Sequence, residues 1–400
     1  MKAKTSSKGT VASLFSGIGG IELGLERAGM SPALFCEIEP HAQAVLRVRW
    51  PDTQLLSDIR EIEELPTRIE LLTAGFPCQD LSQAGGTKGI AGSQSGLVAH
   101  VFRLLERRHV PRLLIENVPF MLQLQRGSAM TFLVNRLEEL GYRWAYRVVD
   151  ARAFGLPQRR ERVYLLASRV DDPAQILFAE DVGEPRVDGH RGRACGFYWT
   201  EGLRGLGWAV DSVPTLKGGS TLGIPSPPAI WLPTGEIVTP DIRDAERMQG
   251  FPADWTKPAE TVGRPGHRWK LVGNAVCVPV AGWVGELLDS PREVSAPLAT
   301  PFEPRGSWPR AAFGDRGHRW LVKCSSWPRS LERPRLESFL SYPVKPLSLR
   351  ATEGFLGRLR RSTLRFPPEF LAALETHSAR LLDTGYSAPP TTSAARVATA

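Results

Sequence analysis

A cysteine follows an apolar run that ends in Gly-Phe-Pro. Residues 71–74 are apolar, and Gly-Phe-Pro-Cys at 75–78 comes directly after them. Such a run predicts a buried strand with Cys78 at its carboxyl edge, where open α/β sheets carry their ligands and chemistry. Pro77 restricts the backbone on both sides of its nitrogen and would direct the thiol. The glycine-rich segment 79–96 predicts a mobile lid; the alternative for the thiol is a small core residue.

Earlier strand edges carry groups suited to a nucleoside. A short strand precedes Ser-Gly-Ile-Gly-Gly at 16–20 and an amphipathic helix, and glycines in such a turn let a ligand approach the backbone. A Gly-x-Gly-Gly turn suits a nucleoside without a pyrophosphate, although a tight structural turn is the alternative. Glu37, after a second strand, could accept hydrogen bonds from ribose hydroxyls, and Asp58, after a third, one from an adenine amino group. Singly each could be a solvated strand end; together they predict an adenosine pocket.

Later strand edges add a carboxylate and a cationic cluster. A fifth strand ends at Glu116, which could therefore lie beside Cys78. Arginines crowd the segment 155–162 at the start of a later strand. A charge run is usually solvated, but at least one of these arginines should project into the same cleft. Asn274 is predicted to start a helix at a turn that touches a ligand.

The composition bounds the class of protein. The chain has 400 residues with 42% hydrophobic and 23% charged residues, as in ordinary soluble globular proteins. A net charge of +8 favours an anionic partner, nucleic acid first. The five cysteines are scattered without a Cys-x-x-Cys pair, which argues against a disulfide framework and a zinc site and for a reducing compartment. No run approaches the roughly 20 apolar residues that cross a bilayer, so a cytoplasmic protein is expected.

The pattern divides the chain into segments. Residues 10–170 alternate strands and helices, as in an α/β domain with a doubly wound sheet. Residues 171–240 mix glycine, proline, aromatic and basic residues, which favours a small loop-rich domain that faces nucleic acid; an irregular insertion is the alternative. Residues 241–290 are predicted to return to the first domain. Residues 291–400 begin with a linker composition and are predicted to form a C-terminal extension of unknown role.

Taken in order, these segments resemble the C5-cytosine-specific DNA methyltransferase family, over residues 10 to about 288. The motifs that carry the resemblance are Phe-Ser-Gly-Ile-Gly-Gly at 15–20, Gly-Phe-Pro-Cys-Gln at 75–79, Glu-Asn-Val at 116–118, Gln-Arg-Arg-Glu-Arg at 158–162, Glu-Arg-Met-Gln-Gly-Phe-Pro at 246–252 and Gly-Asn at 273–274. One departure is Ser-Gly-Leu at 95–97, where the family often has Arg-Gly-Thr-Leu. The resemblance implies a Rossmann-like methyltransferase domain that binds S-adenosylmethionine, a target-recognition domain and no metal.

The resemblance also implies a role for each residue of the site. Cys78 would add to cytosine C6 as a thiolate, and Glu116 would supply a proton or hydrogen bond at N3, which requires a raised pKa. Arg162 would stabilise charge at O2, with Arg160 supporting it, and Asn117 would orient the Pro77–Cys78 turn. The methyl group would pass to C5 before loss of the C5 proton expels the thiol.

Further residues are implied to bind the cofactor and the DNA. The implied cofactor residues are Phe15, Ser16, Gly17, Ile18, Gly19, Gly20, Glu37, Ile38, Asp58, Ile59, Gly75, Pro77, Leu97, Asn274 and Val276. The implied DNA-contacting residues are Gln79 and Ser82, near the space left by a flipped base, and Thr215 and Leu216, as a Thr-Leu element of the target-recognition domain.

Other functions are weighed against this interpretation. A transfer RNA methyltransferase of the same family is disfavoured by the long 171–240 region and by Gly-Phe-Pro-Cys in place of Pro-Pro-Cys. A catalytically inactive DNA-binding relative is disfavoured because no catalytic position is altered, and a nucleotide-binding oxidoreductase because no third phosphate-loop glycine is present. A monomer that acts on double-stranded DNA is expected, paired with a restriction endonuclease of the same target. The target sequence is not readable from the chain.

Overall fold

The computed structural model describes residues 9–77, 96–186, 189–219, 225–290 and 299–384. Cys78, Gln79 and Ser82 therefore lie outside the described residues, as do most of the predicted lid and the final sixteen residues. Contacts divide the chain into two units. The first comprises Met1–Val187, Thr215–Ser226 and Ile242–Pro334, and the second comprises Asp188–Pro214, Pro227–Asp241 and Arg335–Ala400.

A ten-stranded sheet forms the centre of the first unit. The strands of this unit are β1 (Thr10–Leu14), β2 (Ser31–Cys36), β3 (Gln54–Leu56), β4 (Leu71–Ala74), β5 (Arg112–Asn117), β6 (Arg143–Asp150), β7 (Gln158–Arg159), β8 (Glu161–Ser168), β14 (Ala299–Pro301), β15 (Ala311–Asp315) and β16 (His318–Val322). The sheet order is β14-β16-β15-β6-β8-β5-β4-β1-β2-β3. The strands β3, β2, β1, β4 and β5 run parallel, and β8 is antiparallel to both β5 and β6. The predicted α/β fold with a Rossmann-like sheet is confirmed.

Helices cover both faces of this sheet, which is the usual arrangement for parallel strands with near-continuous apolar sequences. The helices of the first unit are α1 (Gly20–Arg27), α2 (Pro40–Arg49), α3 (Leu97–Arg107), α4 (Ser128–Glu139), α5 (Pro173–Leu177), α6 (Ile242–Arg247), α7 (His267–Asn274) and α8 (Val278–Asp289), with 3₁₀ turns at Ile59–Glu61, Pro119–Leu122, Leu124–Gly127, Ala151–Phe154 and Lys257–Thr261. Leu72, Leu113 and Val163, from neighbouring strands, are all fully buried in the largest core cluster. The parallel strands end at one edge, and that edge positions the site.

The segment after residue 299 extends the sheet. Ala299–Pro301 forms a strand, although its composition predicted a linker, and β15 pairs antiparallel with β6. The buried Arg147 ties this extension to the rest of the unit, because its Nε and Nη2 atoms donate to the Ser325 carbonyl at 3.0 and 2.8 Å. Residues 299–334 are therefore part of the first unit.

The second unit is a small sheet covered by helices from the far end of the chain. The sheet consists of β9 (Cys195–Phe197), β10 (Ala209–Val210), β12 (Ala229–Trp231), β13 (Ile237–Thr239) and β17 (Lys345–Pro346), in the order β10-β9-β12-β13-β17. The short strand β11 (Val213–Pro214) lies outside this sheet, and the helices of the unit are α9 (Leu336–Phe339), α10 (Leu349–Leu359) and α11 (Pro368–Asp383). Phe197 and Ile237 from the sheet share one buried core with Phe355 and Phe370 from the helices. The sequence predicted a C-terminal extension of unknown role here, and its contribution to this core was not predicted.

The first unit resumes at Ile242, within one residue of the predicted return at 241, but the unit boundaries differ from the predicted domain boundaries at 170 and 290. Residues 171–186 and 215–219 cluster with the first unit, whereas residues 335–384 cluster with the second. The pattern missed these boundaries because contacts between segments distant in sequence leave no local signal in composition. The assignment of residues 171–240 to target recognition stays a prediction.

One helix end differs from the prediction, and another helix has a glycine N-cap. Asn274 ends α7 instead of starting a helix, because Pro279 favours a new helix start and Cys277 becomes the N-cap of α8 with an extended backbone. Ser128 is the first residue of α4, while Gly127, with φ 85°, is its N-cap. The run His267–Asp289 is long and apolar enough to cross a membrane, but 78% of its most apolar window is buried inside the protein. This burial is typical of a core helix.

Candidate active site

The turn after β1 combines an unusual backbone with a cavity. Phe15 has φ 57°, and Gly17 and Gly19 have φ 55° and 77°. A left-handed conformation is costly for a phenylalanine and marks a constrained site. Phe15, Ser16, Gly17, Ile18 and Gly20 line a cavity with Gly75, Glu116, Asn274 and Val276. These are nine of the predicted site residues, from four separate parts of the chain.

The glycines of this turn serve two purposes. A Cβ atom on Gly17 would meet nothing within 4 Å, so the space beside this residue is open. A Cβ atom on Gly19 would lie 2.4 Å from the Trp50 ring, and one on Gly20 would lie 2.8 Å from the Val276 carbonyl. Gly17 therefore suits close approach of a ligand, whereas Gly19 and Gly20 are required for packing. The structural alternative applies at Gly19 and Gly20, and a ligand-binding role for Gly17 stays a prediction.

Glu37 follows β2 and faces the same turn. Its carboxylate oxygens accept hydrogen bonds from the backbone amides of Gly17 at 2.6 Å and Glu39 at 2.8 Å. Burial raises the pKa of Glu37. Each carboxylate oxygen has a further lone pair, so the amides orient the group without exhausting its acceptors. The neighbouring Ile38 is 66% exposed, which is unusual for an isoleucine and provides an apolar surface next to the carboxylate.

Asp58 is not among the residues that line the cavity. The same is true of six other predicted cofactor residues: Gly19, Glu37, Ile38, Ile59, Pro77 and Leu97. The Asp58 carboxylate forms an ion pair with Arg60 and also accepts the Arg60 backbone amide at 2.9 Å, which caps a 3₁₀ turn. The Arg60 side chain lowers the pKa of Asp58 to about 2. Ile59 is buried in the core, and Leu97 is partly buried against it. Asp58 is therefore already engaged within the protein, which a strand-end pattern could not reveal.

Glu116 and Arg162 form a pair at the ends of adjacent antiparallel strands. Arg162 Nε lies 3.1 Å from Glu116 Oε1, and both side chains are largely buried. Burial raises the pKa of Glu116, although Arg162 and Arg160 oppose the shift. A raised pKa of Glu116 is the direction that the predicted role as a proton donor requires. Arg162 also donates from Nη1 to the Glu161 carbonyl at 2.7 Å, which fixes the guanidinium.

Arg160 is buried and binds backbone carbonyls. Its guanidinium donates to the carbonyls of Leu216 at 3.2 Å, Gly273 at 3.2 Å and Ala275 at 2.6 Å. Burial lowers the pKa of Arg160 to about 10. Arg160 therefore joins the Gly-Asn segment to the Thr-Leu segment. It lies two residues before Arg162 in the chain. The exposed Arg159 makes no comparable contact within the described residues.

Asn117 anchors the backbone two residues before Cys78. Its Nδ2 atom donates to the Phe76 carbonyl at 2.9 Å, and its Oδ1 atom accepts the Val118 amide at 2.9 Å. Both ends of the amide are used, so its orientation is fixed. The contact fixes the carbonyl of Phe76, the residue before Pro77. The orienting role of Asn117 at the Pro77–Cys78 turn stays a prediction.

The Thr-Leu element is part of the first unit and bonds to the segment that carries the arginines. Thr215 Oγ1 donates to the Arg159 carbonyl at 2.8 Å, and the Leu216 amide donates to Gln158 Oε1 at 2.9 Å. Thr215 is half-buried, but Leu216 is only 2% exposed. The buried side chain of Leu216 is unfavourable to its predicted contact with DNA, since it packs inside the protein.

Sequence reasoning missed one ionisable residue of the cavity. Glu22 on α1 lines it beside Ser13 and Gly75 and is 1% exposed. A glutamate in an amphipathic helix usually faces solvent. Only a helical pattern of buried positions that included residue 22 could have indicated it. Within the described residues, no group of three or more histidine, cysteine or acidic side chains is placed to hold a metal.

Comparison with known proteins establishes the family. The family model for C-5 cytosine-specific DNA methylase matches residues 9–189. Type II methyltransferase M2.BsuMI of Bacillus subtilis (strain 168) is 51% identical over 379 residues, which cover 91% of this chain and 97% of that protein. The chain belongs to the C-5 cytosine-specific DNA methylase family. Because 91% of this chain is matched, part of the region after residue 290 must lie within the similarity.

More distant proteins show a narrower likeness. Type II methyltransferase M.SsoII of Shigella sonnei is 30% identical over 313 residues, covering 69% of this chain and 79% of that protein. Among solved structures, the Dnmt2 methyltransferase of S. pombe has a TM-score of 0.48 and 18% identity, covering 70% of this chain and 98% of that chain. Membership of the family identifies the activity as methylation of cytosine in DNA.

Proposed function

We propose that this chain methylates C5 of a cytosine flipped out of double-stranded DNA at a short specific site, with Cys78 as nucleophile and S-adenosylmethionine as methyl donor. The observation that carries the proposal is the single cavity that joins the Gly17 turn, Gly75 and Glu116. In this cavity the glycine turn lies beside a carboxyl group with a raised pKa, and Gly75 is three residues before Cys78. This arrangement supports binding of a nucleoside next to the reacting base.

The nucleophile is further supported by contrast with the other cysteines. Burial raises the pKa of Cys36 and of Cys195 to about 12 and that of Cys277 to about 11. Burial also raises the pKa of Cys324. Since the thiolate is the reactive form, these four side chains are poor nucleophiles. Cys78 alone remains, in the segment whose backbone Asn117 anchors.

The residues around the cavity suit an adenosylated sulfonium ligand. The open space beside Gly17 admits close approach, Glu37 offers oriented acceptors for ribose hydroxyls, and the exposed Ile38 offers an apolar surface for a purine ring. When bound, S-adenosylmethionine would supply an electrophilic methyl group. The DNA base is expected to approach from the side of Glu116, because that carboxyl group is part of the same cavity.

The protein residues divide the acid–base work. Glu116, whose pKa is raised by burial, would donate at cytosine N3 as the Cys78 thiolate adds to C6. Arg162 would stabilise negative charge at O2 from a guanidinium already fixed by Glu116 and the Glu161 carbonyl. Loss of the C5 proton to a base would then expel the thiolate. Arg160 would hold the neighbouring backbone segments in place.

The biological role would be protection of DNA from an endonuclease with the same target. The relative from Bacillus subtilis is called a Type II methyltransferase, and we extend that role to this chain. Such an enzyme would work as a monomer in the cytoplasm, where the DNA is. DNA modified by the protein in cells should resist one restriction activity and remain sensitive to others.

The decisive experiment measures label from S-adenosyl-[methyl-³H]methionine incorporated into duplex DNA, single-stranded DNA and transfer RNA. We expect label in duplex DNA at cytosine within one short motif, and none with Cys78→Ala. Label found only in transfer RNA, or label that survives the loss of Cys78, would contradict the proposal.

A further inference from the structure

Glu22 is a buried acid in the cofactor cavity without a cationic partner. It lies on α1 directly after the glycine turn, lines the cavity and is 1% exposed. Its Oε1 atom accepts a hydrogen bond from Thr73 Oγ1 at 2.7 Å, and Ser13 is a second hydroxyl partner. Within the part of the chain that the structure describes, no lysine, arginine or histidine pairs with it.

An ionised glutamate at this buried position is unfavourable unless a cation or hydrogen-bond donors stabilise its charge. Burial of a carboxylate away from water is unfavourable without a paired charge, and burial indeed raises the pKa of Glu22. The two hydroxyl donors and the backbone amide of Glu22 stabilise the ionised form only in part, because the net shift of its pKa is upward. The hydroxyl groups of Ser13 on β1 and Thr73 on β4 could equally bond to a neutral glutamine side chain at position 22. These two contacts therefore do not require an acid at this position.

The cavity itself indicates where the missing charge would come from. Glu37, Ile38 and Gly17 account for the adenosine end of the proposed cofactor, and none of them provides a charge for its amino-acid end. Ser13, Glu22 and Gly75 line the cavity together with Glu116, and Glu116 is already paired with Arg162. Glu22 is thus the acid of this cavity that is available to a cation.

We propose that Glu22 is the counter-charge for the cationic methionine portion of S-adenosylmethionine, through its sulfonium or its ammonium group. The inference rests on the proposed function, because it assumes this cofactor. It assigns to α1 a ligand-binding side chain in addition to the glycine backbone that precedes it. It also accounts for a buried acid in a cavity whose described lining residues include no lysine, arginine or histidine.

The test is a titration by calorimetry of three ligands into the full-length protein: S-adenosylmethionine, S-adenosylhomocysteine, which lacks the sulfonium, and adenosine, which lacks both cations. Glu22→Gln should weaken S-adenosylmethionine binding on the order of 10-fold, the usual size of one lost charge-assisted contact, and leave adenosine binding unchanged. A loss shared by S-adenosylhomocysteine assigns the contact to the ammonium group; a loss confined to S-adenosylmethionine assigns it to the sulfonium.

Glu26→Gln is the matched control, because it removes the same charge from an exposed position on the same helix. It should leave all three affinities as in the wild type. Glu22→Asp, which keeps the charge, should retain more affinity for S-adenosylmethionine than Glu22→Gln. Equal losses for all three ligands would show a purely structural role and overturn the inference, as would an unchanged affinity for S-adenosylmethionine.

The adenosine titration also separates this inference from the proposed function. Adenosine binding by Glu22→Gln shows that the cavity is folded. A wild-type protein that binds none of the three ligands would instead contradict the proposed cofactor. A wild-type protein that binds S-adenosylmethionine no more tightly than adenosine would contradict the counter-charge alone.

Discussion

The two units of this chain differ in how their key residues are assembled. In the first unit, several of the proposed functional groups lie at or just after strand ends, as Gly17, Glu37 and Glu116 do, and short motifs in the sequence mark these positions. In the second unit, the core joins Phe197 and Ile237 to Phe355 and Phe370 across more than a hundred residues. A chemical site built on strand ends is therefore readable from local sequence, whereas a core assembled from distant segments is not.

The largest effect is expected at Glu116. Glu116→Gln should lower kcat by about 10²–10⁴-fold, the usual contribution of a general acid, and leave S-adenosylmethionine binding unchanged. Burial raises the pKa of this group, so the wild type keeps its proton to a higher pH than an ordinary glutamate and loses activity as pH rises through that raised pKa. The residual activity of the variant should lack this loss. Single-turnover rates across pH would measure both, and an identical profile in the variant would remove Glu116 from the acid role.

The second unit should depend on its C-terminal helices. Phe355 is fully buried, and Phe355→Ala should destabilise this unit by about 3–5 kcal/mol. Affinity for specific DNA should fall with it, while S-adenosylmethionine binding stays within about twofold of the wild type, since its proposed residues lie in the first unit. Phe120→Ala, at a side chain 57% exposed, is the control. Equal unfolding curves for the two variants would mean that α10 does not stabilise the unit.

A pair of glycine substitutions compares the units directly. Gly17 in the first unit and Gly235 in the second both have positive φ, 55° and 88°, and open surroundings. Alanine at either position should cost roughly 1–2 kcal/mol of stability through backbone strain. Only Gly17→Ala should also weaken S-adenosylmethionine binding, because the added methyl group enters the proposed cofactor space. A loss of binding in Gly235→Ala as well would attribute the effect to stability.

The smallest effect is expected at Asp58. Its carboxylate is already used by Arg60, and exposed ion pairs contribute little. Asp58→Ala should weaken S-adenosylmethionine binding by no more than about threefold, which is below 1 kcal/mol. A loss of tenfold or more, measured by the same calorimetry, would show that Asp58 turns from Arg60 to the adenine amino group in the complex.

The sequence predicted the sheet strands, the glycine turn and the Glu116 edge because hydrophobic runs and breaker residues are local signals. It did not predict that Asp58 binds Arg60 or that Arg160 binds three carbonyls, because side-chain partners depend on tertiary contacts. Glu22 was overlooked for a related reason: a polar residue on an amphipathic helix carries no sign of burial. The strand at Ala299–Pro301 was hidden by a linker-like composition, since edge strands tolerate proline.

The central claim, covalent catalysis by Cys78, is tested most directly by trapping. A duplex with 5-fluorocytosine at the methylated position cannot lose a proton from C5 after methyl transfer, so the thiol cannot be expelled. Incubation with S-adenosylmethionine followed by peptide mass spectrometry should show a DNA adduct on the peptide that contains Cys78, and no adduct with Cys78→Ala. An adduct on Cys36, Cys195, Cys277 or Cys324, or turnover without any adduct, would contradict the account.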